Sequence, residues 1–248
     1  MLKVSARAMS PAGITVSIVS HRQNALVNDL LRDIDRVCGE EIEIVVTENV
    51  PDETALLIGG TRCPVKIITN ERGRGFAENH NAAFTRCATP FYCVANPDIR
   101  LTSNPFPVLQ QALAREHAGV AGPLVRSPAG SVEDSARRFP TAVSLIRKLF
   151  AAPAGPDYPV ERGPIEVDWI AGMFMLFDSA AFRAMSGFDE AYFLYYEDVD
   201  LCRRLHRSGY TVIYVPGVEV VHDARRESRR KLSLMRHHAA SMLRFLLR

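Results

Sequence analysis

The strongest constraint on this chain is how short β-branched runs alternate with helical stretches through its first hundred residues. Residues 14–19, Ile-Thr-Val-Ser-Ile-Val, alternate apolar and polar side chains, the period of a half-buried strand. Val27, Leu30, Leu31, Ile34, Val37 and Cys38 then recur at helical spacing, with Asn24 as the expected cap and Gly39 past the end. Residues 42–46, 65–68 and 91–95 read as further strands. A short helix is expected from Pro51 to Gly60 and another from Gly75 to Cys87. Strand–helix alternation with short connections implies an open, mostly parallel α/β sheet flanked by helices. Ligands of such sheets sit beyond the carboxyl ends of the strands. The segments there are all polar: Ser20-His21-Arg22, Thr47-Glu48-Asn49, residues 70–74 and Asn96-Pro97-Asp98.

The second half has a different texture. A helix over 105–117 leads to a strand over 120–125, and 126–165 is rich in Pro, Gly, Ser and Arg. Residues 169–177 read as one apolar strand, and Ser179 as the cap of a short helix ending at Gly187. A helix follows over 197–208, then strands over 211–215 and 218–221 around Pro216-Gly217, and a closing basic amphipathic helix. There is no internal repeat. The reading is one catalytic-sized domain over 1–222, with halves at about 14–104 and 105–222, followed by the helical segment 223–248.

Composition removes several classes. With 47% hydrophobic and 23% charged residues, the chain is not intrinsically disordered. Its longest clean apolar stretch, 169–177, falls well short of the roughly 20 residues of a membrane span. The first ten residues lack the apolar core of a secretory signal. Five scattered cysteines with no CxxC pair argue against a disulfide scaffold or structural zinc, so a cytoplasmic setting is expected. The net charge of +2 is unevenly distributed. Residues 223–248 carry eight Lys/Arg against two acids, a net of +6 that leaves the rest at −4. That speaks against a nucleic-acid binder and for a local role of the tail. It could lie on an anionic membrane, dock on the body or form a homodimer seam.

The densest polar cluster is Tyr195-Tyr196-Glu197-Asp198-Val199-Asp200. Acids in a first turn and arginines in a last one (Arg203, Arg204, Arg207) suit a helix dipole without any function. Yet Asp198 precedes Leu201, Cys202 and Leu205 by three, four and seven residues, and so heads their inward stripe, with Glu197 at its edge. A carboxylate there is placed to act as a general base. Asp98 lies just past a strand behind a proline-fixed turn. It is either a solvated turn residue or a ligand for Mg²⁺ or Mn²⁺ shared with diphosphate oxygens. His222 ends a strand, and its case depends on company with Asp98. Residues 70–81, Asn-Glu-Arg-Gly-Arg-Gly-Phe-Ala-Glu-Asn-His-Asn, resemble a phosphate-cradling loop but lack the spacing of a dinucleotide fingerprint or a P-loop.

In order, these segments resemble the family 2 inverting glycosyltransferases with the A-type nucleotide-sugar fold, in the bacterial rhamnosyltransferase-like branch. The match runs from Ile14 to His222. It is densest at Trp169-Ile-Ala-Gly-Met-Phe-Met-Leu-Phe, Gly187-Phe-Asp-Glu, Tyr195-Tyr-Glu-Asp-Val-Asp-Leu-Cys-Arg-Arg, Gly209-Tyr210 and Val221-His222. The resemblance implies that Asp198, with Glu197 as second candidate, deprotonates the acceptor. It implies donor binding by Ser20, Glu48, Asn49, Arg74, Gly75, Asn81, Asn96 and Asp98, and a sugar or acceptor pocket at Trp169 and Gly172. Asp98 and His222 would hold Mg²⁺ or Mn²⁺. The implied partners are a nucleoside-diphosphate sugar, with dTDP-rhamnose the expected donor, and a glycan or lipid-linked acceptor in surface-glycan synthesis, at the inner face of the plasma membrane. Two departures stand out: Asn96 replaces the first aspartate of the fuller metal motif, and Glu48 stands where Asp is usual. The rival readings are a sugar nucleotidyltransferase, disfavoured by the missing Gly-rich, lysine-bearing start, and a non-catalytic nucleotide-sugar or glycan-binding subunit.

Overall fold

The computed structural model describes residues 13–39, 41–141, 156–160, 163–223 and 232–248. Its strands are β1 (Ile14–His21), β2 (Ile42–Val50), β3 (Val65–Thr69), β4 (Phe91–Ala95), β5 (Ile99–Arg100), β6 (Ala118–Arg126), β7 (Ala136–Arg137), β8 (Ile165–Glu166), β9 (Trp169–Ile170), β10 (Phe174–Asp178) and β11 (Thr211–His222). Its helices are α1 (Asn24–Val37), α2 (Phe76–Phe84), α3 (Phe106–Leu113), α4 (Ser179–Ala184), α5 (Glu197–Arg207) and α6 (Leu232–Leu246). The main sheet runs β3-β2-β1-β4-β10-β6-β11-β5, with β8 beside β11; β7 and β9 pair separately. The expected parallel sheet is found in the first half, β3 through β4. In the second half β10 is antiparallel to both β4 and β6, β11 is parallel to β6, and β5 is antiparallel to β11.

Side-chain alternation divides the core between the two faces of the sheet. Ile14, Val16 and Ile18 of β1, Ile42, Ile44 and Val46 of β2, and Cys93 and Ala95 of β4 join α1 and α3 in one buried cluster. Tyr92, Val94, Met175 and Phe177 face the other way, toward α2, α4 and α5. There Phe182 sits among Phe84, Tyr92 and Phe177 with ring centroids 4.7, 5.1 and 4.9 Å away. The polar residues of β1 also point to this face, where Ser17 Oγ meets the buried His80 Nδ1 at 2.8 Å. Burial lowers the His80 pKa to about 3, so this histidine stays neutral inside the fold.

Several local expectations are corrected. No helix forms between Pro51 and Gly60. Asp52 accepts from the Asn24 and Thr54 amides, and Asn28 bonds the backbone of Ala55 and Leu57, so side chains of α1 hold that stretch as a loop. Asn24 is the first residue of α1 and Gln23 its cap, because the Asn24 side chain is bonded to Ser20, Glu48 and Thr54. The cap of α4 is Asp178, which accepts from the Ala181 amide, and not Ser179. The expected single strand over 169–177 is two, β9 and β10, in different sheets, with a break at Ala171–Met173 where the backbone serves other partners. The last two expected strands are one, β11, irregular between Val215 and Glu219 around Pro216-Gly217.

The final helix α6 docks on the body. Phe245 is buried, its ring 3.8 Å from the Arg203 guanidinium carbon and 5.6 Å from the Tyr196 ring, and Ser241 donates to the Leu194 carbonyl at 2.9 Å. The face turned to the body carries Ser241, the partly buried Met242 and Phe245, whereas Ala239 and Leu246 are exposed. Residues 224–231, with most of the tail's positive charge, lie outside the described residues. All five cysteines are free. Among the described residues no helix is long and apolar enough to cross a membrane.

Candidate active site

Strand register carries the sequence candidates to one edge of the sheet. Ser20 lies opposite Glu48, and Glu48 opposite Thr69, so the ends of β1, β2 and β3 are level. β4 ends at Ala95, opposite Phe174 at the start of β10. The Asn96 amide then donates to the Met173 carbonyl at 2.9 Å, while the Gly172 amide next door donates to Asp198 Oδ2 at 2.8 Å. The 172–173 break thus ties the Asn96-Pro97-Asp98 turn to the start of α5. At the far side His222, the last residue of β11, pairs with Ile99 and so meets Asp98.

Asp198 has a defined geometry. Its Oδ2 accepts from Gly172 and its Oδ1 from the Val199 amide, also at 2.8 Å. A Cβ at Gly172 would press on the Phe76 ring at 3.3 Å but would sit at an ordinary 3.5 Å from Asp198 Oδ2. Tyr195 and Tyr196, immediately before α5, have φ values of +68° and +69°. Two successive non-glycine residues in the left-handed region are strained, and such strain persists only where the surroundings enforce it. Here they turn the chain so that both acids enter the protein. Burial raises the Asp198 pKa against the pull of its two N–H donors. Glu197 is the more enclosed acid, 4% exposed, and its Oε2 has no hydrogen-bond partner. Burial first, then the charge of Asp198, holds its pKa well above the usual range. Enclosure of both acids favours the uptake of a proton at this helix start, and Asp198, held by its two backbone donors, is placed to act as a base.

These acids open into a cleft of about 490 Å³ bordered by Trp169, Tyr195, Tyr196, Arg137, Arg138 and His238. Trp169 donates its indole N–H to the Arg138 carbonyl at 2.9 Å and lies under the Arg137 guanidinium at 5.4 Å. Arg137 in turn pairs with Asp134 at 2.7 Å. An aromatic wall beside fixed charged groups and a base is suited to a sugar hydroxyl.

At the other end of the site Asp98 Oδ2 lies 3.3 Å from His222 Nε2, and His222 Nδ1 lies 2.7 Å from Glu133 Oε2. Burial alone would lower the His222 pKa; Asp98 and Glu133 outweigh it and raise the value to about 9. Asp98 Oδ1 is buried without a hydrogen-bond partner. Among the described residues no group of three or more His, Cys, Asp or Glu converges to hold a metal unaided. An unclaimed carboxylate oxygen beside an imidazole suits a hard cation whose remaining ligands come from phosphate.

Other sequence candidates are spent within the protein. Glu48 accepts from Asn24 at 2.9 Å and from Thr69 at 3.4 Å. Asn49 clamps the 70–75 loop through the Arg74 amide and carbonyl and through Asn70. Gly75 allows that loop to touch the Phe193 backbone, since a Cβ would lie 2.6 Å from its carbonyl oxygen. Asn81 faces away from the loop and binds the backbone of Phe188 and the Glu190 carboxylate. Arg74 pairs with Glu78 at 3.2 Å, yet its Nε is buried and unpaired. Glu133, Arg137 and His238 were not anticipated. The Arg137-Arg138 pair was visible only as loop charge, and nothing in the sequence marks Glu133.

A parallel half-sheet leading to an antiparallel β10, with an acid at the head of α5 and an Asp–His pair across the strand ends, is the A-type fold of nucleotide-sugar glycosyltransferases. Similarity to known proteins agrees. Residues 11–240 match the family model described as "Glycosyltransferase like family 2", and the chain belongs to that family. It is 38% identical over 165 residues to the N-acetylglucosaminyl-diphospho-decaprenol L-rhamnosyltransferase of Mycobacterium tuberculosis, covering 60% of this chain and 53% of that protein. It thus matches about half the length of that relative. It is 30% identical over 247 residues to the rhamnosyltransferase WbbL of Escherichia coli K12, covering 95% of this chain and 93% of that one. A crystal structure of GalNAc-T7 with UDP, GalNAc and Mn²⁺ superposes with a TM-score of 0.68 at 14% identity, covering 87% of this chain and 44% of that one.

Proposed function

We propose that this chain is an inverting glycosyltransferase that moves rhamnose from dTDP-rhamnose to a saccharide or lipid-linked acceptor in surface-glycan assembly. The observation that carries the reading is Asp198: a carboxylate gripped by two backbone amides, facing an aromatic cleft, and tied through Gly172 and Met173 to the Asp98 turn. The names of the two rhamnosyltransferase relatives support the sugar, and that of the mycobacterial one the lipid-linked acceptor.

In this mechanism the acceptor hydroxyl enters beside Trp169 and gives its proton to Asp198. The oxygen attacks the anomeric carbon from the face opposite the diphosphate, a new C–O bond forms, and the bond to the diphosphate breaks with its electron pair. Glu197, neutral, shields Asp198 from a second negative charge. The donor lies along the ends of β1 to β4, with Arg74 Nε free for an anionic oxygen. Asp98 Oδ1 and His222 Nε2 would hold Mg²⁺ or Mn²⁺ together with diphosphate oxygens. When bound, the ion supplies positive charge that offsets the leaving group. The chain would work at the cytoplasmic membrane face, with its basic 223–248 segment near anionic lipid.

The test is to incubate the protein with dTDP-rhamnose and N-acetylglucosamine-bearing acceptors and read the anomeric configuration of the product by NMR. Inverted product from the wild type and almost none from Asp198→Asn is expected. Retained configuration, or full turnover by the variant, overturns the reading.

A further inference from the structure

The last helix reaches the cleft that holds the acid pair. His238 of α6 borders that cleft together with Glu197, Asp198 and Trp169. Its ring lies edge to face against both Tyr195 and Tyr196, with centroids 5.4 Å away in each case. The helix is seated on either side of that strained tyrosine pair. Ser241 donates to the carbonyl of Leu194, just before the pair, at 2.9 Å, and Arg203, beyond it on α5, donates to the Phe245 carbonyl at 3.1 Å. His238 precedes Ser241 by three residues and Phe245 by seven, so it stands on the same side of α6. The contacts that seat the helix therefore also fix His238 at the cleft. Its neighbour His237 faces elsewhere, stacked on Phe193 with ring centroids 4.8 Å apart. His80, His206 and His222 are spent on protein partners. Among the described residues neither ring nitrogen of His238 has a hydrogen-bond partner, and the residue is exposed. Partial burial first, then the charge of Arg137, lowers its pKa, so the imidazole is neutral at neutral pH. A neutral imidazole carries one donor and one acceptor, as a hydroxyl does.

We propose that His238 is an acceptor-binding residue, hydrogen-bonded to a hydroxyl of the sugar whose reacting oxygen meets Asp198. The inference rests on the transferase reading above and deepens it. Placement argues for it: the donor lies along the ends of β1 to β4, whereas His238 borders the cleft at Asp198 and Trp169, where the acceptor enters. Chemistry argues for it too. Arg137 is engaged by Asp134 and the Trp169 indole by the Arg138 carbonyl, while His238 keeps both a donor and an acceptor for a hydroxyl. The last helix is then a wall of the acceptor site and not an appendage to the catalytic domain.

The test compares His238→Phe, His238→Gln and His238→Ala, with dTDP-rhamnose as donor and an N-acetylglucosaminyl diphosphate capped with a methyl group as acceptor. Phenylalanine keeps a ring against the tyrosines and loses the nitrogens; glutamine does the converse. His238 is exposed, so the variants are expected to fold, with the wild-type Tm and the wild-type rise in Tm on adding dTDP. His238→Phe should raise the acceptor KM about tenfold with kcat and the donor KM unchanged, the pattern of a lost binding contact. Tenfold corresponds to about 1.4 kcal/mol, the scale of one hydrogen bond. His238→Ala should match it, and His238→Gln should recover part of the loss. A wild-type acceptor KM in His238→Phe beside impaired glutamine and alanine variants overturns the proposal and leaves the ring as a wedge against Tyr195 and Tyr196. So does a loss confined to kcat. A second arm uses the wild type alone and needs no turnover. Diethyl pyrocarbonate labels accessible imidazoles, and fragment-ion mass spectrometry reads His237 and His238 separately. The saturating acceptor should slow labelling of His238 and leave that of His237 as it was; equal protection of both, or of neither, overturns the proposal. Selective protection without transfer to any acceptor would sink the transferase reading and leave His238 as a sugar-binding residue. Inverted transfer by His238→Phe at the wild-type acceptor KM would do the reverse.

Discussion

The two ends of the site each gather carboxylates, and they treat them in opposite ways. At the Asp98 end the acids flank a base: His222 lies between Asp98 and Glu133, and the two carboxylates raise its pKa to about 9. At the Asp198 end two successive acids share an enclosed space, and burial raises both pKa values. The first arrangement gathers groups that attract or coordinate positive charge; the second makes a carboxylate willing to take a proton. Sequence distance follows the same divide. Glu197 and Asp198 are neighbours on one helix start, whereas Asp98, Glu133 and His222 come from three separate segments joined by β5–β11 pairing and the 126–135 turn.

The sharpest way to break this contrast is to remove one acid from each end. Asp198→Asn keeps the size of the side chain and removes the base. Transfer should fall by about 10²–10⁴-fold, the usual contribution of general-base catalysis, while dTDP still raises the Tm as in the wild type. Asp98→Asn should do the converse to nucleotide binding. Mn²⁺ should no longer enhance the Tm increase given by dTDP, and excess EDTA should bring the wild type to the same state. If both variants behave alike in both assays, the two ends are not chemically distinct.

Glu133 offers a smaller and more selective test. A partner that orients a metal-binding histidine typically contributes 10–100-fold to metal affinity. Glu133→Ala should therefore weaken Mn²⁺ binding, measured by EPR of the free ion with dTDP present, by about that factor. Glu133→Gln, which can still accept from Nδ1–H, should recover part of it. Unchanged Mn²⁺ affinity in the alanine variant would show that the 2.7 Å contact serves packing alone.

The fold and the reacting groups differed in how far they could be read from sequence, for physical reasons. The strands of the parallel half are legible because sheets covered on both faces are built from short, β-branched apolar runs bounded by polar turns, and β4 falls where expected at Phe91–Ala95. Asp198 was legible because helical geometry places it above Leu201, Cys202 and Leu205. The loop after β2 was misread because the side chains of Asn28 and Asp52, not local propensity, decide its path. The 169–177 stretch was misread because hydropathy does not record which sheet a residue joins. Gly172, in mid-run, was the one local sign of a break. Glu133 carried no sign at all, since a lone acid in a turn looks the same whether it faces water or a histidine. The family resemblance implies a donor-loop role for Asn81, but its place on α2 turns its side chain to the backbone of Phe188 instead.

The smallest expected effect bears on stability and tests which acid of the pair holds the proton. Glu197 has a folded-state pKa above its unfolded value, so between those values the native state binds more protons than the unfolded one. Unfolding free energy then falls as pH rises, by at most about 1.4 kcal/mol per pH unit for one proton. This contribution is fully present below the ordinary glutamate range and is lost as pH climbs toward the raised value. Glu197→Gln mimics the protonated acid at every pH and should remove that slope. Urea unfolding at a series of pH values should show the variant close to the wild type in acid and progressively more stable than it above pH about 4.5, the ordinary glutamate value. Transfer activity near neutrality should survive the substitution, because glutamine keeps the size of the side chain and the neutral state that burial favours there. Parallel pH profiles for the two proteins would place the retained proton on Asp198 instead, and Asp198 could not then be the ionised base at rest.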